Sequence, residues 1–298
     1  MSQVWAGPLR SSTGPARRAQ LKASRLYLVT DDETPAAALP QLIARAVDGG
    51  VDVIQLRRKG EVPKNLVALA RECLRSARDQ GALFLIDDHL ELALEVDADG
   101  VHLGQGDLDA AEARIQLGPD RLLGLSTHTK DQVLRAGTQP VDYISAGPVY
   151  ATPTKPGRPA VGFEHVTLAA GRSAVPVVAI GGLRSGRAAP AIAAGADLVA
   201  VVRAICRAED PAGAAAALRA EIDSATAWPR LRVNGQDRKC VPGSSVHDLL
   251  VQLEVELRGV VVELDGQILA EPELAGALLR EGDQLEIVHL VGGGSGHG

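Results

Sequence analysis

The chain has 298 residues, 46% hydrophobic and 23% charged, with a net charge of −6; that is about twice a ~150-residue domain and excludes a peptide or a small disulfide-stapled module. Only seven aromatic residues and an acidic balance exclude a nucleic-acid binder of the stacking kind, which needs aromatic platforms and a basic field. No apolar run approaches the ~20 residues of a membrane span, so the expectation is a cytoplasmic protein with an aliphatic core and neither nucleic acid nor membrane as partner. Cys73, Cys206 and Cys240 are too scattered for a zinc site and read as reduced thiols.

Residues 1–30 carry five basic residues and no acidic one, and residues 1–24, rich in Ser, Arg, Pro and Ala, read as a disordered extension. From Leu26 onward, short β-branched runs alternate with Ala/Leu/Arg segments of helical period. Eight runs are expected as strands: Leu26–Thr30, Asp52–Leu56, Leu83–Ile86, Gly100–Leu103, Leu122–Leu125, Tyr143–Ala146, Pro176–Ile180 and Leu198–Val202. Helices are expected to start near Pro35, Pro63, His89, Leu108, Lys130, Glu164, Ser185 and Pro211. Eight βα units over residues 25–223 predict an α/β fold of the (β/α)8 TIM-barrel type, with a doubly wound sheet as the competing architecture. After a linker at 224–229 the pattern changes. Leu231–Val233 and Lys239–Val241 read as a hairpin, Ser244 and Ser245 as helix caps, and Val260–Leu264, Gln267–Leu269 and Gln284–Val288 as strands. This order predicts a small β-grasp, ubiquitin-like domain over 230–294, followed by a tail at 295–298.

In a βα barrel the chemistry sits at the carboxyl ends of the strands, and polar residues crowd those ends here. Strand 2 runs into Gln55-Leu56-Arg57-Arg58-Lys59, strand 3 into Asp87-Asp88 and strand 4 into Gln105-Gly106-Asp107. Strand 5 ends in Ser126-Thr127-His128, strand 6 leads to Thr152-Pro153-Thr154-Lys155, strand 7 to Gly181-Gly182 and strand 8 to Arg203. Arg57, Lys59 and Lys155 are cations on one mouth, and Asp88 with Asp107 offer the one or two carboxylates by which Mg2+ is held beside phosphate oxygens and water. The Gly-Gly turn exposes backbone N–H groups to a second phosphate. Each piece has a plainer reading: a solvated charge run, a helix cap, an inert loop or a bare turn. His89 and His128 read as surface or capping residues, and His102 as a packed, hydrogen-bonded one. Placement at successive strand ends favours two phosphorylated ligands.

At these residues the chain resembles thiamine-phosphate synthase. The resemblance is carried by Tyr27 to Asp31, Gln55 to Lys59, Asp99 to Asp107, Gly124 to Ser126, Gly147-Pro148 with Thr152 to Lys155, and Ala179 to Leu183. It implies condensation of a pyrimidine diphosphate with thiazole phosphate, giving thiamine phosphate and diphosphate. Gln55, Leu56, Arg57, Arg58, Lys59, Asp87, Ser126 and Lys155 would bind the pyrimidine diphosphate. Asp88 and Asp107 would hold Mg2+, and Thr152, Pro153, Thr154, Gly182, Val202 and Arg203 would surround the thiazole phosphate. Two positions depart from the family pattern: Asp87 stands where Asn is usual, and Arg203 where Ser is frequent.

Residues 231–294 resemble the thiamine sulfur carrier, which implies a carrier terminus at Gly293-Gly294 and, as partners, a sulfur-carrier adenylyltransferase and a thiazole synthase. Such carriers use a free glycine carboxylate, so Ser295–Gly298 are expected to require removal. The alternatives are a thiazole tautomerase-like barrel, which would not need the diphosphate-binding set, and a non-catalytic carrier or scaffold.

Overall fold

A computed structural model of the chain describes residues 13–59, 63–152 and 159–289. Within them, eight strands close into an all-parallel barrel: β1 Leu26–Val29, β2 Val53–Leu56, β3 Leu83–Asp87, β4 Gly100–Leu103, β5 Leu122–Thr127, β6 Tyr143–Ala146, β7 Val177–Ile180 and β8 Leu198–Val201. β1 pairs with both β2 and β8, which closes the sheet. Closure rather than a doubly wound sheet is the outcome, and the expected strands lie within two residues of those observed.

Strand alternation divides the core in two. Inward residues, among them Tyr27, Val29, Val53, Leu83, Leu85, Leu122, Tyr143, Val178 and Leu198, fill the barrel. Outward residues such as Leu28, Ile54, Leu56, Phe84, Ile86 and Val101 pack under the helices. Gly124 is required by the first set, because a Cβ there would lie 2.1 Å from Cζ of Tyr143, whose ring crosses the interior.

The outer helices are α1 Gly14–Ala23, α2 Leu39–Asp48, α3 Pro63–Arg78, α4 Leu90–Glu95, α5 Ala110–Leu117, α6 Lys130–Ala136, α7 Gly162–Arg172, α8 Ala188–Ala193, α9 Arg203–Cys206 and α10 Pro211–Asp223. α1 corrects the disordered extension expected over 1–24. Pro15 sits in its first turn, Leu21 plugs the amino end of the barrel, and buried Arg17 donates through Nε to Asp99 Oδ1 at 3.0 Å. The segment read as disordered because the carboxylates that bind Arg17 and Arg18, those of Asp99 and Asp142, lie more than eighty residues away in sequence.

The C-terminal domain consists of β9 Arg230–Val233, β10 Gln236–Lys239, α11 Val246–Gln252, β11 Val260–Leu264, β12 Gln267–Leu269 and β13 Gln284–His289. Its sheet order β10-β9-β13-β11-β12, with β9 and β13 parallel and the other pairs antiparallel, is that of a β-grasp. β10 begins earlier than expected because Asn234 and Gly235, both at positive φ, form a two-residue hairpin turn. Ser245 caps α11 in a reciprocal box with Asp248. The segment expected as a plain linker is packed: Trp228 is buried, its indole N–H donating to Ala193 O at 3.0 Å. Lys239 Nζ, also buried, donates to Asp197 Oδ2 at 2.7 Å, and Arg230 pairs with the same carboxylate. The small domain thus docks at the amino end of the barrel. Gly293 and Gly294 lie outside the described residues.

Candidate active site

The carboxyl ends of the strands surround a cavity of about 410 Å³. Its floor is made of inward residues at the last turn of each strand, among them Gln55, Asp87, His102 and Ser126. Gln55 is buried, and its Nε2 has no protein hydrogen-bond partner among the described residues. An unpaired buried amide carries a desolvation cost, so this atom is poised for a ligand acceptor.

Arg57 also lines the cavity and is 7% exposed. It is held by Asp32, and by Asp87 at 3.6 Å from Nε. Asp32 also accepts the backbone N–H of Lys59 at 2.7 Å, and the Thr30 hydroxyl both accepts from Arg57 N and donates to Arg57 O. Asp32 was not singled out in the sequence, and Thr30 only as part of the Tyr27 to Asp31 segment, without a role; the signal for Asp32 was its place just beyond β1. The ammonium of Lys59 bonds Asp88 and lies 3.5 Å from Asp87. Burial opposes its charge, but the Asp88 bond and the neighbouring carboxylates outweigh it and hold the group above its ordinary value.

Asp88 has a backbone φ of 60° and is fixed by its N–H to His102 O at 2.9 Å. Its carboxyl is pushed above the ordinary range by burial, Lys59 opposing and the hydrogen-bonded Asp107 reinforcing. Asp107 in turn accepts from Gly104 N at 2.7 Å. Two carboxyl groups close enough to bond each other, one of them resisting ionisation, form the donor pair that a hard dication relieves, so these residues fit Mg2+.

Not all expected residues meet at the mouth. Leu56 points outward into the barrel–helix layer, and Arg58 also turns away, donating to Thr34 O at 2.9 Å. Both follow from strand alternation, which sends neighbours of Gln55 and Arg57 to the opposite face. Thr152, Gly182, Val202 and Arg203 line the cavity, while Pro153, Thr154 and Lys155 lie outside the described residues. His128, expected as a surface or capping residue, lines it too, with Nδ1 2.5 Å from Gly147 O. His89 occupies the N-cap position of α4 without a side-chain capping bond.

Gly181 and Gly182, at φ 106° and 65°, also line the cavity, as do Arg184, Arg203 and Arg207. A Cβ at Gly182 would lie 2.7 Å from that of Tyr150. Arg187 stacks 4.0 Å above the Tyr150 ring and donates to Gly182 O at 3.0 Å, bracing the turn. Arg207 reaches Asp31 Oδ2 at 2.9 Å. The Asp31 carboxyl stays below its ordinary value because bonds from Thr34 and Arg207 outweigh burial. Arg184, Arg187 and Arg207 lie in stretches that the sequence motifs did not cover.

The thiamine monophosphate synthase family model matches residues 26–205, and the ThiS family model matches residues 231–294. The thiamine-phosphate synthase of Vibrio parahaemolyticus is 39% identical over 204 residues, covering 68% of this chain and 100% of that protein. The thiamine-phosphate synthase of a Nostoc species is 45% identical over 198 residues, covering 66% of this chain, and the match spans 56% of the relative's length. The solved thiamine phosphate pyrophosphorylase from Pyrococcus furiosus superposes with a TM-score of 0.62 at 31% identity, covering 69% of this chain and 97% of that one. Barrel, site and relatives agree: the chain belongs to the thiamine monophosphate synthase family, with a ThiS-family domain at its C-terminal side.

Proposed function

We propose that the barrel condenses 4-amino-2-methyl-5-(diphosphooxymethyl)pyrimidine with thiazole phosphate, releasing thiamine phosphate and diphosphate. The observation that carries this reading is one cavity bordered by two charged groups: Arg57 and Asp87 line it, with Lys59, Asp88 and Asp107 clustered next to Asp87, and the Gly181-Gly182 turn with Arg203 lines it elsewhere. The first suits a magnesium diphosphate and the second a phosphate monoester.

The C–O bond between the pyrimidine methylene and the diphosphate breaks, its electron pair leaving with the diphosphate. The thiazole nitrogen lone pair then forms the new C–N bond. No protein nucleophile is needed. Asp88 and Asp107 would hold Mg2+, which would supply neutralisation of the charge on the leaving group. Arg57 and Lys59 donate to the diphosphate oxygens. Because Asp32 and Asp87 hold Arg57 in place beforehand, little reorganisation is required as charge develops. Gln55 offers its unpaired N–H to a pyrimidine acceptor, and the backbone N–H groups of the Gly-Gly turn hold the thiazole phosphate so that its ring faces the methylene. Loss of donor capacity at Asp87 restricts that side chain to accepting.

The C-terminal domain acts as a sulfur carrier for thiazole synthesis, with an adenylyltransferase and a thiazole synthase as partners. Its support is the β-grasp sheet and the match over residues 231–294.

The test is mass-spectrometric detection of thiamine phosphate, in a 1:1 ratio with diphosphate, when the full chain meets both precursors and Mg2+. Absence of both products would favour the tautomerase-like or scaffold alternatives.

A further inference from the structure

Beneath the cavity, four buried side chains form a single file across the barrel interior. Tyr27 Oη lies 3.0 Å from Tyr143 Oη, Tyr143 Oη 2.9 Å from His102 Nδ1, and His102 Nε2 3.0 Å from Ser126 Oγ. Tyr27 and Tyr143 are 2% and 0% exposed, and Ser126 is 3% exposed where it lines the cavity. The file exists because residue 124 is glycine, which lets the Tyr143 ring cross to reach it.

Counting protons gives the file a direction. Burial raises both phenols above their ordinary value, so each keeps its proton. Among the described residues the only hydrogen bonds of the two phenol oxygens are these two contacts, Tyr27–Tyr143 and Tyr143–His102. Two contacts accommodate two protons. A third, on His102 Nδ1, would strand one hydroxyl proton in the interior, at the full desolvation cost of that group. With Nδ1 bare, Tyr27 donates to Tyr143, Tyr143 donates to Nδ1, and every proton is used. The neutral ring then carries its proton on Nε2 and donates to Ser126 Oγ. Ser126 cannot donate back along the same line, so its own proton points at the cavity.

We infer that the Tyr27–Tyr143 pair locks His102 in the tautomer protonated at Nε2, making Ser126 an obligatory hydrogen-bond donor to the ligand in the cavity. Tyr143 and His102 are positioning residues that act through Ser126. That the acceptor is an oxygen of the pyrimidine diphosphate rests on the synthase reading, whereas the tautomer does not.

The experiment is 1H–15N NMR of the full-length protein with ring-15N histidine, the His102 signals being assigned by their loss in His102→Gln. The expected result is a bare Nδ1 and a protonated Nε2, retained in Tyr27→Phe, where Tyr143 still has only Nδ1 to donate to, and replaced by a tautomer mixture in Tyr143→Phe. A protonated Nδ1 in the native protein or in Tyr27→Phe, or an unchanged tautomer in Tyr143→Phe, would overturn the lock. If Tyr143→Phe does not fold, the native and Tyr27→Phe spectra still decide. Kinetically, Tyr143→Phe should raise KM for the pyrimidine diphosphate about tenfold, and add nothing in a Ser126→Ala background. Additive losses would refute action through Ser126. A native enzyme without synthase activity would sink the synthase reading, while the tautomer would still be decided by the NMR spectra alone.

Discussion

The two ends of the barrel use the same residue type for opposite purposes. At the amino end, Asp52, Asp99, Asp142 and Asp197 stand immediately before the even-numbered strands β2, β4, β6 and β8. Each accepts at least one backbone N–H, from Arg25 and Leu26, Phe84, Leu123 and Val177 respectively, at 2.7 to 3.0 Å. Each also meets a cation: Arg219, Arg17, Arg114 and Lys239. At the carboxyl end, Asp88 and Asp107 face each other, and Lys59 is the cation that bonds Asp88. A carboxylate surrounded by donors holds a fold together. Two that crowd each other, one of them pushed towards its protonated form, do not serve that purpose, and under the proposed function they are the ligand-binding pair. The comparison also places the small domain: its Lys239 and Arg230 complete at Asp197 the pattern that helices complete at the other three.

The largest effect should follow from breaking the amino end. Asp142→Ala removes the carboxylate shared by Arg18, Arg114 and the Leu123 N–H and should cost about 3 kcal/mol in urea unfolding, with turnover per folded molecule unchanged. Loss of turnover at native stability would reverse the assignment of the two ends. Lys59→Ala should do the opposite. If the proposed function holds, removing this cation should lower kcat on the order of 10²-fold, while thermal unfolding stays within about 0.5 kcal/mol of native. A change confined to KM would mean that Lys59 binds substrate without favouring the transition state.

How much of this was legible in the sequence depends on the range of the interaction. Gln55, Arg57, Asp87 and Ser126 could be read from strand ends, because a strand has one direction and its carboxyl end one fate in this fold. Leu56 and Arg58 were carried along by a contiguous motif, although alternation alone places them on the outer face. The repeated Asp before Val53, Gly100, Tyr143 and Leu198 was visible as Val51-Asp52, Ala98-Asp99, Val141-Asp142 and Ala196-Asp197. Its meaning was not, since the answering cations are up to 167 residues distant, as for Arg219 and Asp52. α1 was missed for the same reason: Arg17 looks solvated until Asp99 is brought beneath it.

Smaller effects sharpen the account. Lys239→Met leaves Asp197 with Arg230 as its one cation among the described residues and should cost about 2 kcal/mol, read as a lowered midpoint of urea unfolding. A neutral result would mean that the domain contact contributes nothing to the barrel. The smallest effect is at Glu221, which accepts from Gly186, Ala188 and Ala189 N–H groups at the start of α8. Burial pushes its carboxyl up, but these bonds outweigh it and the group lies below its ordinary value. Its contribution is therefore present above the unfolded value near about pH 4.3 and is lost as pH falls through the lower folded value. The stability difference between native and Glu221→Gln should shrink over that interval, and a constant difference down to acid would remove the carboxylate from the account.

The contrast between the two ends is tested most directly at Asp88, by measuring the rate of diphosphate release and the urea midpoint on the same preparation of Asp88→Asn. Asn tolerates the left-handed backbone at this position and removes the crowding with Asp107. The midpoint should therefore equal or exceed the native one, while turnover falls on the order of 10²–10³-fold. Native turnover with a lowered midpoint would contradict the claim, because Asp88 would then belong with the aspartates that hold the barrel together.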